Sequence, residues 1–168
     1  RFKLYSRGTR HFKWLIQQNA QLYVSTPYLQ NKYQAHNPIV LTPQQITSPT
    51  AHSTNATHKT QKRCRVFYHA TASHRQEIEW LYPVMKQVLE TSPHIEFEII
   101  GDAKTRSLYK NLPRTTIIDP MSWIDYQSFI AQPGRDIGLA PHLDSPFNRA
   151  RSYTKLFDIE RAGAIALL

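Results

Sequence analysis

Cysteine is almost missing: Cys64 is the only one in 168 residues. No internal disulfide can form, and a lone thiol in a strand-like run fits a reducing compartment and a structural role in the interior. Long apolar runs are missing too. None approaches the roughly 18 residues needed to span a bilayer, and the opening RFKLYSRGTR lacks the apolar stretch of a signal peptide. The expectation is a soluble, cytoplasmic protein. Metal-ligand spacing is also absent. The eight histidines pair with neither cysteine nor acid at ligand distances, His52 and His58 fall in a polar run, and no metal site is expected.

The most uneven absence is of acid. Residues 1–76 contain no Asp or Glu, and all 12 acids lie from Glu77 onward, within a net charge of +9. An anionic partner follows from that imbalance: nucleic acid, an anionic membrane surface or a phosphorylated substrate. Arg1, Lys3, Arg7, Arg10 and Lys13 supply part of the charge, either as a solvated helix face or as a lipid or nucleic-acid contact. The sequon Asn55-Ala56-Thr57 carries no expectation without a signal peptide.

What is present is enough to fold. A hydrophobic share of 40% with 11% aromatics belongs to a chain that buries a core, and the length bounds it to one domain with an appendage. Residues 7–20 read as a helix with Phe12, Leu15 and Ile16 on a buried stripe. Leu22–Ser25 reads as a strand, Tyr28–Tyr33 as a short helix begun by Thr26-Pro27, and Ile39–Leu41 as another strand. The polar run from Thr42 to Lys62 marks a boundary. The division is therefore 1–43 as a remnant of one domain, 44–63 as linker, and 64–168 as a second domain.

Beyond the linker, strand and helix signals alternate. Strands are expected at Arg65–Ala70, Ile95–Ile100, Thr115–Ile118, Ile137–Ala140 and Ala164–Leu168. The first intervening helix carries Ile78, Leu81, Val84, Met85, Val88 and Leu89 at three-and-four spacing, with Pro83 as either a kink or the true start. The other helices are expected at Ala103–Leu112, Trp123–Ala131 and Ser152–Ala162. Such alternation predicts an α/β fold, a Rossmann-like doubly wound parallel sheet whose ligands bind outside the carboxyl ends of the strands. Both ends of the chain look cut.

Phe147 to Leu168, FNRARSYTKLFDIERAGAIALL, holds the candidate site. Arg149, Arg151 and Lys155 crowd the expected start of a helix, where the macrodipole already favours an anion. Asp158 lies three residues after Lys155 on the same face. The pair reads either as a surface ion pair or, with both arginines, as a phosphate site with a carboxylate for sugar hydroxyls. Thr71, Ser73 and His74 follow the first strand. They either cap and pack, or face the ligand with His74 donating to an anionic oxygen. Trp123 and Tyr126 read as packing rather than as a stacking platform.

These motifs resemble the second half of a GT-B glycosyltransferase of the family-4 type, which builds cell-surface polysaccharides. The likeness runs through LYVSTPYLQNKY and NPIVLTP, then CRVFYHATASHRQ, FEIIGD, DIGLAP, and the Ser-x-x-Lys-Leu-x-acid helix before Gly163. It implies a C-terminal donor-binding domain preceded by a remnant of the acceptor-binding domain. The implied activity is metal-independent hexosyl transfer from a nucleotide-diphosphate sugar to a saccharide or lipid-linked acceptor. No cofactor and no nucleic-acid partner are implied, and peripheral association with the inner membrane face is. Arg149, Arg151 and Lys155 would stabilise the leaving diphosphate. Thr71, Ser73, His74, Ser152, Tyr153, Thr154 and Asp158 would bind donor, with Asp158 on the ribose. Ala150 stands where the family places a second acid, and the loop after the first strand has small residues instead of a glycine pair. The chain alone is expected to bind donor without turnover. The alternative is a non-catalytic phosphate-ligand or nucleic-acid binding α/β module.

Overall fold

The structure, a computed structural model, describes residues 2–18, 21–41 and 63–168. Most of the expected linker, including His52, His58 and the sequon, lies outside the described residues. So does Arg1. The chain divides into two compact units, one of residues 1–44 and 144–153, the other of residues 45–143 and 154–168.

In the first unit, α1 (Phe2–Gln17) is followed by β1 (Tyr23–Val24), α2 (Pro27–Lys32), a 3-10 turn at Gln34–His36 and β2 (Ile39–Val40). Helix α2 begins as expected: Thr26 accepts a hydrogen bond from the Leu29 amide at 3.2 Å, and Pro27 takes the first helical position. Strands β1 and β2 pair in parallel. The buried stripe expected on α1 is not found. Phe12 and Leu15 are exposed, Ile16 is half-buried, and the Phe12 ring stands edge-on to Tyr33. A short amphipathic helix with little to pack on keeps its apolar side chains in solvent.

The second unit holds the sheet. Its strands are β3 (Cys64–His69), β4 (Ile95–Ile100), β5 (Thr115–Ile118), β6 (Ile137–Leu139) and β7 (Ile165–Leu167). All pair in parallel, in the order β5-β4-β3-β6-β7. This is the doubly wound Rossmann-like α/β fold. The chain winds outward from β3 to β5, then returns past β3 to build β6 and β7 on its other side. The winding reverses between β3 and β6, the place where doubly wound sheets have their ligand-binding crevice.

Helices cover both faces. On one, α3 (Arg75–Thr91) and α4 (Ala103–Tyr109) pack on Val66, Tyr68, Phe97, Ile99 and Leu139. Pro83 lies inside α3, which runs continuously through it. Ile78, Leu81, Met85 and Leu89 are buried as their spacing predicts, whereas Val84 falls on the exposed side. On the other face, α5 (Trp123–Ile130) and α7 (Thr154–Arg161) enclose Phe67, Ile130, Ala140, Ile159 and Ala162. Gly138 permits this closeness: a Cβ there would lie 2.5 Å from Ile159 Cγ1. Gly163, at φ 68°, ends α7 in the left-handed conformation glycine favours. Edge strand β7 leaves Ile165, Leu167 and the following Leu168 exposed.

Candidate functional site

The strand order directs attention to the carboxyl end of β3. His69 is its last residue, and the chain leaves through Ala70 and Thr71 into a 3-10 turn, Ala72–His74, that leads into α3. Thr71 and Ser73 are exposed and share a hydroxyl hydrogen bond of 2.8 Å. Both hydroxyls also reach His74 Nδ1, at 3.0 and 3.3 Å. His74 itself is buried, its ring edge-on to Tyr68. The loop thus presents two hydroxyls at the sheet end, with the imidazole beneath them as their support.

From the facing helix, Lys155 reaches the same place. It is the second residue of α7, its ammonium donates to the His69 carbonyl, and it sits 4.8 Å from the centroid of the Tyr68 ring. A cation is therefore held over the end of β3 at the amino end of a helix, where amides and dipole favour an anion. Thr154, exposed, opens that helix.

Asp158 is one turn further along α7. Burial pushes its carboxyl up from the ordinary range, only partly offset by the charges of Lys155 and Arg161 and by the neighbouring Tyr126 hydroxyl. Arg161 lies 3.8 Å from Asp158 Oδ1. Lys155 hydrogen-bonds the β3 carbonyl, and its charge, with that of Arg161, bears on Asp158.

Behind Asp158 lies a buried polar chain. His69 Nδ1 is 3.3 Å from the Tyr126 hydroxyl, and His69 Nε2 is 2.9 Å from Glu98 Oε1. Arg135 donates to the same carboxylate, 2.6 Å to Oε1 and 3.4 Å to Oε2, and also to the carbonyls of Phe129 and Gln132 at 3.1 Å each. Burial alone would raise the Glu98 carboxyl, but the bonds from His69 and Arg135 and the Arg135 charge outweigh it and hold it low. Burial lowers His69, with Arg135 and Lys155 in the same direction, more than Glu98 raises it. The phenol of Tyr126 is pushed up by burial and then by the Asp158 charge.

Sequence reasoning missed this chain. Glu96 and Glu98 alternate with Phe97 and Ile99, which reads as a strand with one wet face. In a doubly wound sheet both faces are covered, so the inner acid of such a pair must find buried partners. That conflict was the available signal.

The remaining predicted residues belong to the first unit. Ser145-Pro146 starts a separate short helix, α6 (Pro146–Arg149), where Ser145 accepts from the Asn148 amide at 3.1 Å. This corrects the expected single helix from Ser152, because α7 begins at Thr154. Arg149 therefore ends a helix instead of starting one. It grips Asp144 through two bonds of 2.6 and 2.7 Å, which hold that carboxyl low and the guanidinium high. Arg151 donates to Asn148 Oδ1 at 3.1 Å and lies 5.4 Å from the Phe147 ring centroid. Ser152 is half-buried and Tyr153 exposed.

Among the described residues no group of three His, Cys, Asp or Glu is placed to hold a metal ion, and no helix is long and apolar enough to cross a membrane. The fold and the sheet-end site define a Rossmann-like α/β protein. No protein-family model and no curated protein matches the chain.

Proposed function

We propose that the second unit binds a nucleotide-diphosphate sugar at the carboxyl end of its sheet, as the donor-binding half of a GT-B glycosyltransferase. One observation carries the reading. Lys155 and Asp158 stand one turn apart on α7 beside the end of β3, where the winding of the sheet reverses. Doubly wound sheets bind nucleotides in that crevice. A helix start with an ammonium suits the diphosphate, and a carboxylate one turn on suits ribose hydroxyls. The exposed hydroxyls of Thr71 and Ser73 add neutral donors at the same strand end.

The transfer breaks the bond between the anomeric carbon and a diphosphate oxygen. Negative charge grows on that oxygen, and Lys155 with the first amides of α7 stabilises it more as the bond lengthens. Asp158 orients the nucleotide and takes no covalent part. The acceptor is a saccharide or a lipid-linked saccharide. A lipid-linked acceptor would bring the protein to an anionic membrane face, for which α1, with Arg10, Lys13, Phe12 and Leu15 exposed, is suited.

Calorimetry against uridine, guanosine and adenosine diphosphates and single-stranded oligonucleotides tests the reading. At least one diphosphate should bind, and Lys155→Ala should weaken it about tenfold or more, the scale of one charge-assisted hydrogen bond. Tight oligonucleotide binding with steep salt dependence and no diphosphate binding would replace this reading with a nucleic-acid module. Unchanged diphosphate affinity in Lys155→Ala would move the site elsewhere.

A further inference from the structure

At the carboxyl end of β3 the sheet runs out of donors one residue early. Strand β3 pairs with β6 only through Val66–Ile137 and Phe67–Gly138. Just beyond, the Ala70 amide donates to the Ile100 carbonyl of β4, and the Ala140 amide donates to the Leu167 carbonyl of β7. Backbone groups alternate sides along a strand, so the His69 carbonyl turns toward β6, and the position that turns back to meet it is residue 141. That residue is proline and has no N–H. The ladder stops there, and the Lys155 ammonium from α7 donates to the His69 carbonyl instead.

His69 is itself fixed from several sides. Its ring is buried, with Nε2 2.9 Å from Glu98 Oε1 on the adjacent strand and Nδ1 3.3 Å from the Tyr126 hydroxyl on α5. It packs against the rings of Phe67 and Phe129, at centroid distances of 4.7 and 5.7 Å. Glu98 is gripped in turn by Arg135, which donates to the carbonyls of Phe129 and Gln132 and stands 4.1 Å from the Phe129 ring centroid. A side chain anchored to a neighbouring strand and a covering helix holds its own peptide group in one orientation.

We propose that His69 is a positioning residue for Lys155: its carbonyl, held in place by the contact of its imidazole with Glu98, sets where the ammonium stands at the end of the sheet. An ammonium has three donors, so a bond to an uncharged carbonyl orients it and leaves its charge intact. The Tyr68 ring, 4.8 Å away, supports it from beside. Lysine is ordinarily a point charge on a flexible four-carbon stem, and fixing it in advance removes ordering entropy from the binding of an anion. This also gives the buried Glu98–Arg135 pair a task beyond stability, since it steadies the imidazole whose peptide carries the acceptor. That the anion is a diphosphate rests on the donor-site reading, whereas the placement of Lys155 by His69 does not.

Calorimetry with uridine diphosphate on the unmodified chain, His69→Leu, Lys155→Ala and the double variant tests the positioning. His69→Leu should weaken binding about fivefold, within the coupling seen for residues of one contact network. In the Lys155→Ala background the same substitution should change affinity by less than about twofold, because no ammonium remains to be placed. Losses that multiply across the two backgrounds, or no loss from His69→Leu alone, would overturn the proposal. His69→Gln, whose amide nitrogen reaches Glu98 from near the Nε2 position, should bind within about twofold of the unmodified chain. A loss as large as that of His69→Leu would show that the Glu98 contact does not hold the carbonyl.

Nuclear magnetic resonance of the unmodified, ligand-free chain supplies an arm that needs neither a variant nor a ligand. The Lys155 ammonium should be rigid where that of exposed Lys86 on α3 is mobile, and a scalar coupling across the hydrogen bond should link Lys155 Nζ to the His69 carbonyl carbon. An ammonium as mobile as that of Lys86 would overturn the proposal. A rigid ammonium without the coupling would assign its hold to Tyr68 and overturn the role of His69. If the chain binds no diphosphate while Lys155 is rigid and coupled, the donor-site reading fails and the positioning stands.

Discussion

The two faces of the parallel sheet bury different chemistry. Under α3 and α4 the strands contribute Val66, Tyr68, Phe97, Ile99 and Leu139, and helical Ile78, Leu81, Met85 and Leu89 fill the space. Under α5 and α7 the same strands contribute Phe67 but also His69 and Glu98, with Arg135 and Tyr126 against them. Register makes the contrast unavoidable: Phe67 pairs with Glu98, so Glu98 lies on the face of Phe67 and His69. A chain selected only for stability would cover both faces with hydrocarbon, since a buried ion pair is often no better than well-packed apolar residues. The polar face is instead the one that carries Lys155 and Asp158. One face holds the sheet together; the other orients side chains at its end.

Removing one partner of the buried pair should have the largest effect. Glu98→Ala leaves the Arg135 guanidinium enclosed, with the carbonyls of Phe129 and Gln132 as its remaining acceptors. A loss of about 3–5 kcal/mol in urea unfolding is expected. Combining Glu98→Leu with Arg135→Met should recover at least half of it, because no buried charge then remains. A loss below about 1 kcal/mol for Glu98→Ala would mean that water reaches the pair and that the polar face is not an interior.

On the apolar face, Leu89→Ala opens a cavity beneath α3, where Leu89 is 1% exposed. The expected loss is about 2–5 kcal/mol. Here the test is separability: uridine diphosphate affinity and the His69 titration should remain as in the unmodified chain at temperatures where the variant is folded. Movement of either would couple the two faces and remove the distinction.

The helix register and strand alternation that place α3 to α5 and β3 to β7 are readable because apolar spacing reports which side of an element is covered. Lys155 and Asp158 were readable for a related reason: a cation at a helix start after a buried strand is out of place unless an anion belongs there. Glu98 was not. Its alternation with Glu96 suggests a solvated face, and Glu96 does meet solvent-side Arg63 and Arg65, while Glu98 lies two residues further in, where α5 covers the sheet. Arg135 falls outside every expected strand and helix and Tyr126 reads as packing, because nothing local records their partners: Glu98 lies 37 positions from Arg135, and His69 lies 57 from Tyr126. Ser145-Pro146, by contrast, is a local cap signal, and reading it would have separated α6 from α7 in advance.

The smallest effect concerns Asp158, and its sign is opposite to that of Glu98. Both acids lie on the polar side, yet Glu98 is held below the ordinary carboxylate range and Asp158 above it. A carboxyl whose folded pKa is raised stabilises the fold while protonated. That contribution is complete below the unfolded value, about 3.9, and is lost as pH rises through the folded one. Asp158→Asn keeps the shape and abolishes the ionisation, so it should raise the Tm by about 2–4 °C at pH 8 and leave it unchanged near pH 3.5. If uridine diphosphate binding falls in the same variant, the site is keeping a carboxylate that the fold alone would discard, as positions retained for function at the expense of stability do. A lower Tm at pH 8 would show that Asp158 is a structural partner like Glu98, and the sheet would then have no face set aside for a ligand.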